Sequence, residues 1–269
     1  MEVIVAKTAG FCFGVKRAVE KVYANVDKEH VYTYGPIIHN EQVVADLEKH
    51  GVKVVEEDTD LTQLSEGTIV VRAHGASRAE FDRLRECGMQ IEDATCPFVS
   101  KIYRIVEEES KAGRTVIIVG NAAHPEVRGI RGWSGEDTYV VGSIEEANNL
   151  NILAKNISIV SQTTFNLKKF KEIVEIFEKK GYDIKCLNTI CNATEVRQTE
   201  ARQIASQVDA MIVIGGKNSS NTQKLFEICK EECSNTYYIQ TAEDLDYTAI
   251  RGMQRIGITA GASRSEEHT

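Results

Sequence analysis

The sequence predicts an α/β protein built from three similar units, each with a mainly parallel sheet covered by helices. Short apolar, β-branched runs alternate with segments such as KFKEIVEIFEKKG (169–181), whose apolar residues recur every three or four positions. The same order of elements recurs with a period of about 90 residues. Three cysteines, Cys12, Cys96 and Cys191, mark this repeat.

Each of the three cysteines ends an extended apolar stretch and directly precedes a helical one. A helix N-terminus favours the thiolate, so the repeat predicts a metal centre with three sulfur ligands and one open position. Buried apolar thiols and a zinc site are the alternatives, but structural zinc ligands usually arrive as close C-x2-C pairs, which this chain lacks. Three thiolates on a four-iron cubane would leave one iron free.

Polar loops follow the predicted strands, two in each unit, at the sheet edge where parallel sheets gather their binding groups. They lie at 36–40, 73–77, 121–126, 161–164, 217–221 and 260–263. Their histidine, hydroxyl and amide groups suit a dense anion such as a diphosphate. These candidate ligands are His39, His74, His124, Thr163, Ser219, Ser220, Asn221 and Ser263.

Glu126 follows a His-Pro pair in one of these loops and has two interpretations. It is an acidic residue at a helix N-terminus, or a proton carrier beside the bound anion. The spacing alone favours neither. The chain lacks a G-x-x-x-x-G-K-[ST] loop, which argues against nucleotide hydrolysis.

The third unit has no strand and cysteine after its last polar loop, whereas the chain begins with a strand-like segment and Cys12. We therefore predict that residues 2–7 complete the third sheet and that the units surround a pseudo-threefold axis. The predicted domains are 13–96, 97–190, and 1–12 with 191–263.

Composition limits the partners. The chain has 269 residues and a net charge of -8, which argues against a nucleic-acid or anionic-membrane surface. We find no apolar run of about 18 residues and no signal peptide, so we expect a cytoplasmic protein. In that reducing compartment the seven cysteines are not expected to form disulfides. Cys87 and Cys186 are predicted to be buried structural thiols, and metal binding at Cys229 and Cys233 is disfavoured.

Together these segments resemble the 4-hydroxy-3-methylbut-2-enyl diphosphate reductases over residues 1–263. The segments that carry the resemblance are AGFCFGVKRAV, IIHN, RAHG, DATCPFV, NAAHPEV, SQTT, NTIC, GGKNSSNT and TAGAS. The resemblance implies three α/β domains around a central [4Fe-4S] cluster with one open iron, held by Cys12, Cys96 and Cys191. It also implies that the eight loop residues bind the diphosphate and that Glu126 is the proton donor.

The implied reaction is the last step of the non-mevalonate isoprenoid pathway. It removes the allylic hydroxyl of (E)-4-hydroxy-3-methylbut-2-enyl diphosphate and yields isopentenyl and dimethylallyl diphosphates. The chain has no flavin or nicotinamide motif, so a ferredoxin or flavodoxin type donor is expected to supply the electrons. A non-catalytic iron-sulfur carrier or redox sensor is the alternative, but a carrier generally needs four protein ligands and no polar pocket.

The chain departs from the family pattern after Ser263. The family usually continues through a Thr-Pro pair and a short helix, whereas residues 264–269 read RSEEHT. The DNA string AGATCGGAAGAGCACACG, familiar from sequencing adapters, encodes these six residues. We interpret 264–269 as a non-native tail that replaces the natural C-terminus.

Overall fold

A computed structural model of the chain describes residues 1–264, so residues 265–269 of the suspected tail lie outside the described part. The strands are β1 (Glu2–Val5), β2 (Val31–Tyr34), β3 (Lys53–Val55), β4 (Thr68–Val71), β5 (Gln90–Asp93), β6 (Thr115–Val119), β7 (Thr138–Val141), β8 (Asn156–Ser161), β9 (Asp183–Cys186), β10 (Ala210–Ile214), β11 (Thr236–Ile239) and β12 (Arg255–Ala260). The α-helices are α1 (Phe13–Tyr23), α2 (Glu41–Lys49), α3 (Arg78–Glu86), α4 (Pro97–Lys111), α5 (Pro125–Trp133), α6 (Ile144–Asn149), α7 (Leu167–Lys179), α8 (Asn192–Ala205) and α9 (Ser220–Glu232). Short 3-10 turns lie at Leu61–Gln63 and Ala242–Asp244.

The strands form three four-stranded sheets with one shared order, which confirms the predicted fold class. The orders are β3-β2-β4-β5, β7-β6-β8-β9 and β11-β10-β12-β1. Every strand pairing within residues 1–264 is parallel. In the third sheet β1 takes the fourth position, because Glu2–Val5 pairs with Arg255–Ile258. The N-terminal segment therefore completes the third sheet, as the sequence predicts.

Helix α7 illustrates how local sequence fixes these elements. Asn166 caps its start, since the Asn166 side chain accepts a hydrogen bond from the Lys169 N–H. Its apolar face (Phe170, Ile173, Val174 and Phe177) is buried. The helix ends just before Gly181, whose φ of 79° is a conformation that glycine adopts without strain.

Central strands are buried on both faces, as parallel sheets covered by helices require. In β6, Ile117 and Val119 belong to the core cluster under α7, whereas Val116 and Ile118 pack with residues of α4 and α5. In β10, alternate residues likewise belong to two different clusters. The period-two alternation of side chains thus supplies both layers of each core.

The chain forms two compact units. One contains Met1–Lys16, His39–Gln42 and the chain from Cys191 onward, and therefore holds the third sheet. The other contains Arg17–Ile38 and Val43–Ile190, and holds the first two sheets. Within residues 1–264, no helix is both long and apolar enough to span a membrane.

The four cysteines outside the repeat have different environments. Cys229 and Cys233 are buried, whereas Cys186 is exposed and Cys87 is half-buried. The prediction that Cys186 is a buried thiol is therefore wrong, and that for Cys87 holds only in part. Cys186 ends β9, the edge strand of its sheet, and three of that strand's four residues are exposed. The strand-like IKCL segment did not reveal that β9 lies at the edge of its sheet, where Cys186 is exposed.

Candidate active site

Each repeat cysteine lies immediately before a helix that follows the fourth strand of a sheet. Cys12, Cys96 and Cys191 precede α1, α4 and α8; none of the three forms a disulfide, and all are half-buried. Their carbonyls accept the first helical hydrogen bonds, from the N–H groups of Lys16, Ser100 and Glu195. The positive end of each helix dipole therefore lies at the cysteine, where it stabilises a thiolate.

Two of these cysteines are also tied to the second polar loop of their own sheet. The Cys12 N–H donates to the Ala262 carbonyl at 3.2 Å, and the Cys96 N–H donates to the Ala73 carbonyl at 3.0 Å. These bonds place each cysteine beside candidate anion ligands, since Ser263 follows Ala262 and His74 follows Ala73. In these two sheets the cysteine and the polar loop thus share one end.

Glu126 lies in the first turn of α5 and is only 2% exposed. One carboxyl oxygen accepts from the Thr163 N–H at 2.6 Å, and the other accepts from the Thr163 hydroxyl at 2.7 Å. Burial raises the pKa of Glu126 above its usual value, and the two bonds from Thr163 oppose this shift without reversing it. In the described part of the chain no basic side chain forms an ion pair with Glu126. The carboxyl group is therefore suited to holding a proton.

His74 and His124, in the same compact unit as Glu126, lie in contact with each other. Their ring centres are 5.3 Å apart and the rings are nearly perpendicular. His124 caps α5, because its Nδ1 accepts from the Glu126 N–H at 3.2 Å. That bond assigns the proton of neutral His124 to Nε2, which leaves Nε2 as a donor.

Three side chains donate hydrogen bonds to backbone carbonyls of the loop that carries His74. Tyr103 donates its hydroxyl to the His74 carbonyl at 3.2 Å, and the Trp133 indole donates to the Ala76 carbonyl at 3.0 Å. The Arg72 Nε–H donates to the Gly75 carbonyl at 3.2 Å. Gly75 has a φ of 74°, and a Cβ there would lie 2.1 Å from the Tyr103 hydroxyl, so only glycine fits.

An ion network extends this support to α5. Buried Arg72 contacts Glu57 at 2.6 Å, and Arg128 of α5 contacts the same Glu57 oxygen at 2.7 Å. The loop that carries His74 and the helix that carries His124 and Glu126 are therefore linked by charge-assisted contacts.

The unit with the third sheet holds the remaining candidate ligands. Ser219 caps α9, so that Ser220 and Asn221 lie in its first turn, where backbone N–H groups suit the binding of an anion. The Ser263 hydroxyl donates to the Ser219 hydroxyl at 3.2 Å. Asn221 is 4% exposed, and its amide nitrogen has no hydrogen-bond partner among residues 1–264, which leaves a buried donor for a ligand.

His39 belongs to this same unit through a short returning segment. The Asn40 amide donates to the Ser263 carbonyl at 2.7 Å. The His39 carbonyl lies against the loop before α9, since a Cβ on Gly216 would lie 2.8 Å from it. His39, Ser219 and Ser263 are thereby brought to one end of the third sheet.

The structure thus distributes the predicted residues over the two compact units. One unit holds Cys96, His74, His124, Glu126 and Thr163, and the other holds Cys12, Cys191, His39, Ser219, Ser220, Asn221 and Ser263. Sequence reasoning missed Arg72, Tyr103, Trp133 and Arg197. Only Arg197 leaves a signal, because it shares the helical spacing of the buried residues Thr194, Ala201 and Ala205 in α8.

Comparison with known proteins gives a consistent result. The profile of the family described as "LytB protein" matches residues 3–269. A 4-hydroxy-3-methylbut-2-enyl diphosphate reductase from Caldanaerobacter subterraneus is 48% identical over 98% of this chain and 92% of its own length. The same-named protein from Geobacter sulfurreducens is 47% identical, with the same shares of both chains covered.

Two solved structures are also similar. The E-1-hydroxy-2-methyl-but-2-enyl-4-diphosphate reductase from Plasmodium falciparum has a TM-score of 0.94 at 28% identity and covers 99% of this chain and 85% of its own. A structure described as (E)-4-hydroxy-3-methyl-but-2-enyl diphosphate reductase, the terminal enzyme of the non-mevalonate pathway, has a TM-score of 0.68 at 40% identity. It covers 100% of this chain and 96% of its own.

Proposed function

This chain belongs to the LytB protein family, and we propose that it binds (E)-4-hydroxy-3-methylbut-2-enyl diphosphate through its polar loops and reduces it at an iron-sulfur cluster. Members of this family are iron-sulfur enzymes of isoprenoid precursor synthesis. The allylic hydroxyl leaves as water, with two electrons and two protons consumed, and the products are isopentenyl and dimethylallyl diphosphates. The relatives give no support to the alternative of a non-catalytic carrier.

The three repeat cysteines are the proposed ligands of one [4Fe-4S] cluster that keeps one iron open. Their chemistry suits this group, because none of the three forms a disulfide and all are half-buried and placed at helix N-termini. When bound, the cluster supplies electrons one at a time and a Lewis-acidic iron. A ferredoxin or flavodoxin type protein is the proposed electron donor.

The substrate diphosphate is proposed to bind His39, His74, His124, Thr163, Ser219, Ser220, Asn221 and Ser263. The buried, unpartnered amide of Asn221 and the N-terminus of α9 support this assignment, since both offer N–H groups to an anion. Neutral N–H and O–H groups of this kind bind a diphosphate through hydrogen bonds to its charged oxygens.

Glu126 is the proposed proton donor, and its environment carries the proposal. Its raised pKa keeps it protonated at a pH where an ordinary glutamate is ionised. When protonated, it can donate its hydrogen bond to the Thr163 hydroxyl, whose own O–H is then free to face the substrate. Glu126 and Thr163 can thus hold a proton for the hydroxyl that leaves as water.

The domain bounds and location are part of the same proposal. The shared strand order supports three domains at 13–96, 97–190, and 1–12 with 191–263. Seven cysteines without a disulfide among them support a reducing compartment such as the cytoplasm.

Anaerobic reconstitution followed by iron, sulfide and zinc assays tests the cluster. We expect about four iron and four sulfide per chain, and turnover of the diphosphate substrate with a chemical reductant. Cys96→Ser should lose the visible absorption of the cluster, whereas Cys186→Ser, at an exposed cysteine outside the repeat, should keep it. Stoichiometric zinc without sulfide would overturn the assignment.

A further inference from the structure

Arg197 is a buried cation that has no role in the reaction proposed above. It lies in the second turn of α8, the helix that follows Cys191, and is 5% exposed. Its Nη2 donates to the Gly10 carbonyl at 2.6 Å, two residues before Cys12. One side chain therefore connects the helix of one repeat cysteine to the segment that carries another.

The guanidinium group has no carboxylate within ion-pair distance in the described part of the chain. Glu200, one turn further along α8, is engaged by the N–H groups of Lys7 and Thr8 at 2.9 and 3.0 Å. Arg197 Nε also has no hydrogen-bond partner among residues 1–264. A buried guanidinium with an unused donor is unfavourable unless negative charge is bound beside it.

The groups that can carry that negative charge are the two cysteines of the same unit. Burial lowers the pKa of Arg197, and negative charge on Cys12, Cys191 and Glu200 opposes that shift, in that order. Because Arg197 lies on the helix that follows Cys191 and is bonded to Gly10, two residues before Cys12, both cysteines lie within electrostatic reach of the guanidinium. Their sulfur atoms, or those of a group that they hold, are suitable acceptors for the unused Nε–H.

We propose that Arg197 is a positioning residue that supplies a buried positive charge and an N–H donor to the sulfur atoms at Cys12 and Cys191, and so raises the reduction potential of the cluster. This inference rests on the proposed cluster. Reduction adds one negative charge to a group that already carries the charge of its thiolates. A fixed cation nearby stabilises the reduced state more than the oxidised state, and hydrogen bonds to sulfur act in the same direction.

A purely structural role is the competing explanation. Gly10 has a φ of 111°, and the bond from Arg197 could serve only to hold the Gly10 turn. A structural role predicts lower stability in a variant but the same potential for every cluster that still forms. The charge role predicts a changed potential in a folded, fully loaded protein.

The test is an EPR-monitored redox titration of the reconstituted full chain. For Arg197→Gln we expect the equilibrium constant for one-electron reduction to fall at least tenfold, which lowers the midpoint potential by about 59 mV. Arg197→Lys keeps the positive charge, so its equilibrium constant for one-electron reduction should stay within about threefold of the wild-type value. Arg202→Gln is the matched control, because Arg202 lies on the same helix but pairs with Glu231 and Glu232 at the surface. Its potential should not change.

Two results would overturn the inference. One is Arg197→Gln with full iron and sulfide content and an unchanged potential. The other is Arg197→Lys with an equilibrium constant for one-electron reduction that differs tenfold or more from the wild-type value, because a positive charge would then not be sufficient. This second result applies even if Arg197→Gln fails to assemble a cluster. Wild-type protein without iron and sulfide would instead refute the proposed function itself.

Discussion

Two buried glutamates in the same compact unit have opposite environments. Glu126 is 2% exposed and Glu109 is 7% exposed. The partners of Glu126 are the neutral N–H and hydroxyl of Thr163. Glu109, on α4, accepts from the Ser158 hydroxyl at 2.7 Å and is paired with the Lys185 ammonium group. Similar burial is therefore combined with a cation in one case and with neutral donors in the other.

The difference appears in their acidities. Burial raises the pKa of Glu126, and neutral hydrogen bonds do not reverse that shift. Burial also acts to raise the pKa of Glu109, but bonds from Lys185 and Ser158 outweigh it, so the pKa is lowered. Glu109 is an anion at neutral pH and connects α4 to β8 and β9, whereas Glu126 can store a proton. Burial alone does not raise the pKa of a carboxyl group above its usual value; burial without a cation does.

Glu126→Gln should produce the largest effect and tests the catalytic side of this contrast. The amide keeps the shape and can still accept from the Thr163 N–H, but it cannot give up a proton. We expect substrate affinity near the wild-type value and a fall in turnover of about 10²- to 10⁴-fold. Single-turnover rates and calorimetric binding constants separate the two quantities.

Glu109→Gln is the matched control for that experiment, because it removes a buried carboxylate of the same unit away from the site. It should keep wild-type turnover in whatever fraction is folded. Full turnover in Glu126→Gln would show that another group donates the proton, and the contrast between the two residues would lose its meaning.

The fold was readable from the sequence because each unit repeats a local pattern. Alternating apolar runs, helix-period segments and the repeat cysteines predicted parallel sheets, and the missing strand of the third unit predicted that the N-terminal segment completes the third sheet, where β1 pairs with β12. The short strands β2 and β3 gave weak signals, since VYTY and KVV lack a long apolar run. Periodicity reports which face of an element is buried, and that information sufficed for the topology.

Less of the site could be predicted from the sequence, because its chemistry depends on contacts between residues far apart in the chain. Glu126 and Thr163 are 37 positions apart, so the spacing left Glu126 undecided between a helix acid and a proton carrier. The bond between Arg197 and Gly10 spans 187 positions and has no counterpart in any local pattern. Such pairings follow from tertiary packing, which periodicity does not encode.

Glu109→Gln should have the second-largest effect, on stability. The change removes the negative charge opposite Lys185 and leaves Arg114, which is 3.9 Å from Glu109, less well paired. We expect the free energy of unfolding at pH 7 to fall by about 1–3 kcal/mol, measured by urea denaturation. A loss below about 0.3 kcal/mol would mean that this ion pair contributes as little as an exposed one.

The two glutamates should also make the free energy of unfolding depend on pH in opposite directions. Because the native pKa of Glu109 is lowered, its stabilisation is complete above the unfolded pKa of about 4.3 and is lost as the pH falls through the native pKa. The deficit of Glu109→Gln should therefore shrink in acid. Because the native pKa of Glu126 is raised, wild-type protein loses stability as the pH rises from about 4.3 through that pKa. Glu126→Gln should therefore gain relative stability as the pH rises, and equal slopes for both variants would contradict the contrast.

Thr163→Val should give the smallest effect and asks whether neutral donors tune Glu126. Valine keeps the backbone N–H bond but removes the hydroxyl, one of the two bonds that lower the pKa of Glu126. The pKa should rise further, and the high-pH limb of turnover at saturating substrate should move to higher pH, because the acid stays protonated longer. The lost hydrogen bond should lower stability by about 1 kcal/mol. Thr163→Ser keeps the hydroxyl and should leave the limb in place. If both variants leave it in place, Thr163 does not control this acid; if both shift it equally, the methyl group and not the hydroxyl is responsible.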